Sequence, residues 1–238
     1  MEDFAEFVLT RPPTASRPLL GLTVLVVEDS RFACEALRLL CLKSGARIRR
    51  ADSLRAARRH LRVYRPSVVV VDLGLPDGSG LDLIAELVKT QPRPVAILAT
   101  SGDPAGEQAA RRAGANGFLA KPVHSLGDFQ EAILAHLPIE AQPPGPRLVQ
   151  NTAVEPDRIA YRDDMAHAAD IMSGKVDETD MDYLARFLMG VAKSACDKSL
   201  EAAAIALEGA RREGTPLRSH LARVAGMVQD RLEGRQAV

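Results

Sequence analysis

The chain has 238 residues, of which 46% are hydrophobic and 26% charged, a composition that excludes a wholly disordered chain and suits one large domain or two small ones. Lys and Arg number 31 and so do Asp and Glu, so the overall charge gives no general attraction to nucleic acid or to an anionic membrane. Trp is absent and aromatic residues make up 4%, which argues against a base-stacking surface.

The first residues, Met1 to Leu9, hold three acidic groups and no basic cluster, unlike a secretory signal. Phe4, Phe7 and Val8 are expected to belong to a frayed terminus. RPPTASRP, from Arg11 to Pro18, has three prolines and no apolar period, so residues 1–18 read as a flexible or extended leader. From Leu19 onward, short apolar runs alternate with helical patterns. LTVLVV precedes a helix over 31–43, RIRR one over 54–63, and SVVVVD one over 81–88. VAILAT precedes a helix over 107–113, and GFLA one over 126–136. Five strand–helix units predict an α/β fold, a five-stranded doubly wound parallel sheet with helices on both faces. The runs at 22–27 and 68–71 are apolar without alternation, as central strands buried on both sides require.

PIEAQPPGP, at 138–146, holds four prolines and marks a domain boundary. The expected division is a domain over 19–137, a proline-rich linker over 138–156 and an all-α C-terminal helical domain over 157–238. Its helical patterns cover 161–172, 181–210 and 217–232, with Gly190 a candidate interruption of the middle one. Tyr183, Leu184, Phe187, Leu188 and Val191 form a stripe at three and four spacing, suited equally to an internal bundle core or to dimerisation. No stretch of about 18 apolar residues occurs, so no spanning helix is expected. Cys34, Cys41 and Cys196 form neither a C-x-x-C pair nor an even disulfide set; they are expected to be small core residues in a reducing, cytoplasmic protein.

In a doubly wound sheet, ligands bind beyond the carboxyl ends of the strands. Glu28 and Asp29 close the first run, Asp72 the third and Thr100 the fourth, and Lys121-Pro122 follows the fifth. Clustered carboxylates repel one another, and a hard divalent cation such as Mg²⁺ relieves that repulsion. Asp72 can then attack a phosphoryl donor, with Lys121 and Thr100 facing the phosphoryl oxygens. Taken singly, each acid could equally be a helix cap: Asp29 or Ser30 before the first helix, Asp52 or Ser53 before the second.

The motifs VLVVEDS, VVVVDLGLPDGSGLDL, ILATSG and GFLAKP, in this order and spacing, resemble the receiver domain of bacterial two-component response regulators over about Leu19 to Leu137. The resemblance implies a flavodoxin-like receiver fold, with Asp72 the phosphoacceptor. Glu28, Asp29, Asp72 and the backbone carbonyl of Gly74 are the implied Mg²⁺ ligands. It further implies Thr100 and Phe118 as switch residues, Lys121 as the phosphate-pairing lysine, and often a cis bond before Pro122. The implied partner is a sensor histidine kinase or histidine phosphotransfer protein, and the implied coupling runs through the face of the fourth helix, fifth strand and fifth helix. Gly74 and Gly102, two residues beyond Asp72 and Thr100, offer no side chain to orient an attacking water, so hydrolysis is expected to depend on the metal and Lys121.

No catalytic motif appears after residue 150, so no enzyme is expected apart from Mg-dependent self-phosphorylation and dephosphorylation of the aspartate. His167 and His220 are expected at the surface, because their surroundings match no phosphotransfer motif. Residues 1–140 carry 18 basic and 16 acidic groups, leaving 13 basic and 15 acidic in the helical half. That balance disfavours the alternative, a transcriptional regulator with an atypical DNA- or RNA-binding helical domain. The favoured output is a helical interaction or homodimerisation module switched by phosphorylation.

Overall fold

The computed structural model describes residues 12–145, 152–174 and 178–234. Most of the leader, with Phe4, Phe7 and Val8, lies outside the described residues, as does the middle of the proline-rich stretch. Strands β1 (Thr23–Val27), β2 (Arg47–Ala51), β3 (Val68–Asp72), β6 (Ala96–Ser101) and β7 (Gly117–Ala120) form a parallel sheet in the order β2-β1-β3-β6-β7. Helix α1 (Arg31–Ser44) and α5 (Leu126–Leu134) cover one face; α2 (Leu54–Val63), α3 (Gly80–Val88) and α4 (Gly106–Ala113) cover the other. A two-stranded hairpin, β4 (Gly74–Leu75) with β5 (Gly78–Ser79), lies between β3 and α3 and was not legible in the sequence.

The unalternating apolar strands follow from this sandwich. Val68 and Val70 point into the layer under α1 and α5, with Leu37, Leu40, Phe129 and Ile133. Val69 and Val71 point into the layer under α2 to α4, with Leu83, Ile84 and Leu87. Both faces of β3 are therefore dry, and a polar residue can appear only at its end, which is where Asp72 sits. The capping alternatives are also resolved. Ser30 caps α1 by accepting from the Ala33 amide, and Ser53 caps α2 by accepting from Ala56. Asp29 is thereby left to face the pocket.

The helical half comprises α6 (Arg158–Ser173), α7 (Glu178–Ser194), α8 (Lys198–Arg212) and α9 (Arg218–Leu232). Met165, Leu184, Leu188, Val191, Leu200, Leu207, Val224 and Val228 close its core, so most of the α7 stripe is buried within the chain. Two sequence expectations need correction. Gly190 does not interrupt α7, which runs through it to Ser194. The pattern over 181–210 is two helices, because Cys196 takes a left-handed φ of 56° and Asp197 caps α8 by accepting from the Leu200 amide. Cys34 and Cys41 are buried as expected, whereas Cys196 is exposed at that break. No helix among the described residues is long and apolar enough to cross a membrane.

The end of the proline-rich stretch is anchored to the sheet domain. Ala153 bridges Ser125, the Leu126 amide donates to Thr152, and Val154 is buried beside Leu126 and Phe129. This return delivers α6 to the N-terminal end of α1, where Phe32 and Tyr161 meet edge to face at 5.7 Å.

Candidate functional site

Parallel strands of matched register end together, which brings distant residues into one pocket. Asp72 and Thr100 are register partners on β3 and β6, and Lys121 follows β7 with its amide bonded to the Ser101 carbonyl. One carboxylate oxygen from each of Glu28, Asp29 and Asp72 lies within 4.8 Å of the others. The Lys121 ammonium sits 2.8 Å from Glu28 and 3.3 Å from Asp72. The Lys121–Pro122 peptide is cis. A turn this tight needs glycine at position 80, where a Cβ would fall 2.0 Å from the Asp72 carbonyl oxygen.

The pocket is largely buried and rich in ionisable groups. Burial, then the Asp72 charge, raises the Glu28 carboxyl well above the ordinary value. The same two causes push Asp29 up to about 7, against a hydrogen bond from Tyr183 that lowers it. Burial works against the Lys121 charge, but the Asp72 and Glu28 carboxylates outweigh it and hold the ammonium above its usual range. Were all three acids ionised, Lys121 would balance only one of them, which is why protons are held so tightly there. The donor set, all oxygen and clustered, fits a hard divalent cation. The Thr100 hydroxyl is fully buried and has no hydrogen-bond partner among the described residues, which leaves it free to donate to an added acceptor. Phe118, on β7, is half-buried against the layer under α2 to α4.

The helical half reaches this pocket, which the sequence did not reveal. Tyr183 on α7 donates to Asp29 at 2.7 Å. Because its only proton is committed there, the contact to His167 Nε2 at 3.2 Å has the imidazole donating. Lys193 donates to the Gly102 carbonyl. On α6, the buried Asp164 carboxylate accepts from the Ser30 hydroxyl at 2.7 Å, the Arg31 amide at 2.7 Å and the Phe32 amide at 3.0 Å. It thus fills the N-terminus of α1, where free amides and the helix dipole favour an anion. The only sequence hint was the α7 stripe, whose Tyr183 is polar at one edge; Asp164 carried no local signal. His167 is exposed but rests on Tyr183 and Phe187, while His220 is half-exposed.

Contacts of the helical half fall on α1, on β4, on the loop at Gly102 and on the segment after β7, where Gly190 approaches Lys121 and Ser194 meets His124.

A family model described as the response regulator receiver domain matches residues 24–133. The KDP operon transcriptional regulatory protein KdpE of Escherichia coli is 33% identical over 107 residues, 45% of this chain and 47% of that protein. The transcriptional regulatory protein CitB of Klebsiella pneumoniae is 36% identical over 107 residues, 44% of this chain and 46% of that protein. The match spans about half the length of these relatives. Among solved structures, a response regulator from Chloroflexus aurantiacus is similar at 30% identity, over 48% of this chain and 98% of that one, with a TM-score of 0.45.

Proposed function

Given that residues 24–133 belong to the response regulator receiver family, we propose that the chain is a two-component response regulator phosphorylated on Asp72. The observation that supports this most directly is the largely buried cluster of Glu28, Asp29 and Asp72, with Lys121 paired to Glu28 and Asp72, beside a Thr100 hydroxyl that has no partner among the described residues. In this reading a carboxylate oxygen of Asp72 attacks the phosphorus of a phosphohistidine on a sensor kinase or phosphotransfer protein. The O–P bond forms, the P–N bond breaks, and the electron pair leaves with the imidazole nitrogen. Lys121 pairs with the incoming phosphoryl oxygens, and Thr100 donates its free proton to one of them.

Glu28, Asp29 and Asp72, with the Gly74 carbonyl, are the residues that would hold Mg²⁺. When bound, the cation neutralises charge on the acids and on the transferred group. Self-phosphorylation from small donors, a cytoplasmic setting and a helical interaction module as the output belong to the same proposal.

The test is incubation with Mg²⁺ and phosphoramidate, followed by mass spectrometry of the intact chain and its peptides. One added phosphoryl group on Asp72, absent without the cation and absent in Asp72→Ala, is the expected result. Modification elsewhere, or none, overturns the reading.

A further inference from the structure

We propose that α7 is a roof over the phosphoacceptor pocket, so that the helical half and a phosphohistidine-bearing donor compete for one face of the receiver. The proposal rests on Asp72 being the phosphoacceptor. Three glycines make the seat. A Cβ at Gly102 would lie 3.5 Å from the Lys193 side chain and 3.7 Å from the Gly190 backbone. One at Gly190 would lie 3.5 Å from the Lys121 ammonium, and one at Gly74 would lie 4.0 Å from Cβ of Arg186. Two positions where the receiver loops lack side chains, Gly74 and Gly102, are therefore covered by α7, and α7 lacks a side chain where it crosses Lys121.

The roof is fastened at its edges. Tyr183 holds Asp29, Lys193 holds the Gly102 carbonyl, and Asp164 holds the start of α1. Little of the pocket stays open under it: Lys121, which α7 crosses, is 4% exposed. Asp72 is 7% exposed. With Asp72 so covered and α7 lying across Lys121 and the Gly102 loop, a donor protein is kept from bringing its imidazole to Asp72 while α7 is seated, and a phosphoryl group added there competes with α7 for the same space.

Two states follow. Docked, the pocket is closed to the donor; undocked, Asp72 is open and the helical half is free for other contacts. Since the phosphoryl group and the docked helix exclude one another, phosphorylation disfavours docking by the same factor by which docking disfavours the phosphorylated form at equilibrium.

The experiment uses the full chain in wild-type form, as Gly190→Leu, which wedges α7 away from Lys121, and as the double variant Tyr183→Phe with Lys193→Ala, which cuts two tethers without adding bulk. Hydrogen exchange of the Arg31 and Phe32 amides reports docking, and initial rates with phosphoramidate and Mg²⁺ report access to Asp72. Both variants should exchange these amides faster and should phosphorylate about tenfold faster than wild type, as expected where the open state is a minor population. Equal phosphorylation rates in all three chains overturn the roof. Exchange that responds to the variants while none of the chains is modified overturns instead the phosphoacceptor reading, and the competition with it.

Discussion

Replacing Asp164 with alanine should loosen the joint between the two halves while leaving each folded. The carboxylate accepts three hydrogen bonds, two of them from main-chain amides in the first turn of α1. Hydrogen bonds to a charged group contribute about 1.5–3 kcal/mol each, and losing a helix N-cap costs about 1 kcal/mol. Burial of the carboxylate works in the opposite direction, since it raises the Asp164 pKa despite the bonds from Ser30, Phe32 and Arg31. Ser30 also remains to cap Ala33. The net loss is then about 2 kcal/mol, which at 1.36 kcal/mol per decade is about a 30-fold fall in protection of the Arg31 and Phe32 amides. Hydrogen exchange resolved to those amides measures it, with Asp164→Asn expected between the two because it keeps the shape and one acceptor oxygen. Protection unchanged within about fivefold in Asp164→Ala, a loss below about 1 kcal/mol, would refute the reasoning.

The acidic pocket gives a pH dependence with a definite sign. The folded protein holds protons on Glu28 and Asp29 more tightly than the unfolded chain, so in the absence of metal stability should fall as pH rises from about 4 to about 7. Mg²⁺ should therefore raise the Tm more at pH 8 than at pH 5 in a thermal scan against EDTA; an equal rise at both would contradict it. In the helical half the sign is opposite. Burial raises Asp197, but bonds from Arg231, Tyr161, the Leu200 amide and Ser199 more than offset it and leave the carboxyl well below its ordinary value. The stability it contributes is present above about pH 4 and is lost as pH falls, so Arg231→Met should flatten the acid limb of the melting curve followed by circular dichroism. Phe129 is fully buried between the sheet and α5, and Phe129→Ala should cost about 3–5 kcal/mol of receiver stability in urea titration; a cost below 1 kcal/mol would mean that the layer under α1 and α5 repacks freely.

Much of the receiver was legible because its elements are locally encoded. A run such as VVVVD can satisfy its backbone and bury every side chain only as a central strand, and the polar residue that ends it must lie at the sheet's carboxyl edge. Glu28, Asp29, Asp72, Thr100 and Lys121 were found in this way, each at or just past a strand end. The hairpin at Gly74–Ser79 escaped notice because four residues pairing in twos carry no periodicity. The break at Cys196 escaped because a non-glycine residue in the left-handed region has no compositional mark, and only the Asp197 cap hints at it.

The sequence by itself determined the order of strands and helices, the all-helical second half and the chemistry available at the strand ends, because hydrophobic period and residue type act over a few residues. Only the tertiary structure decided that the second half lies on the first. Asp164, Tyr183, Gly190 and Lys193 are, read locally, unremarkable members of amphipathic helices. They gain meaning from partners about 70 to 154 residues away, such as Lys121 for Gly190, Gly102 for Lys193 and Asp29 for Tyr183. Contacts of that span are fixed by how the bundle closes and where the returning chain anchors at Val154, and no local pattern encodes either.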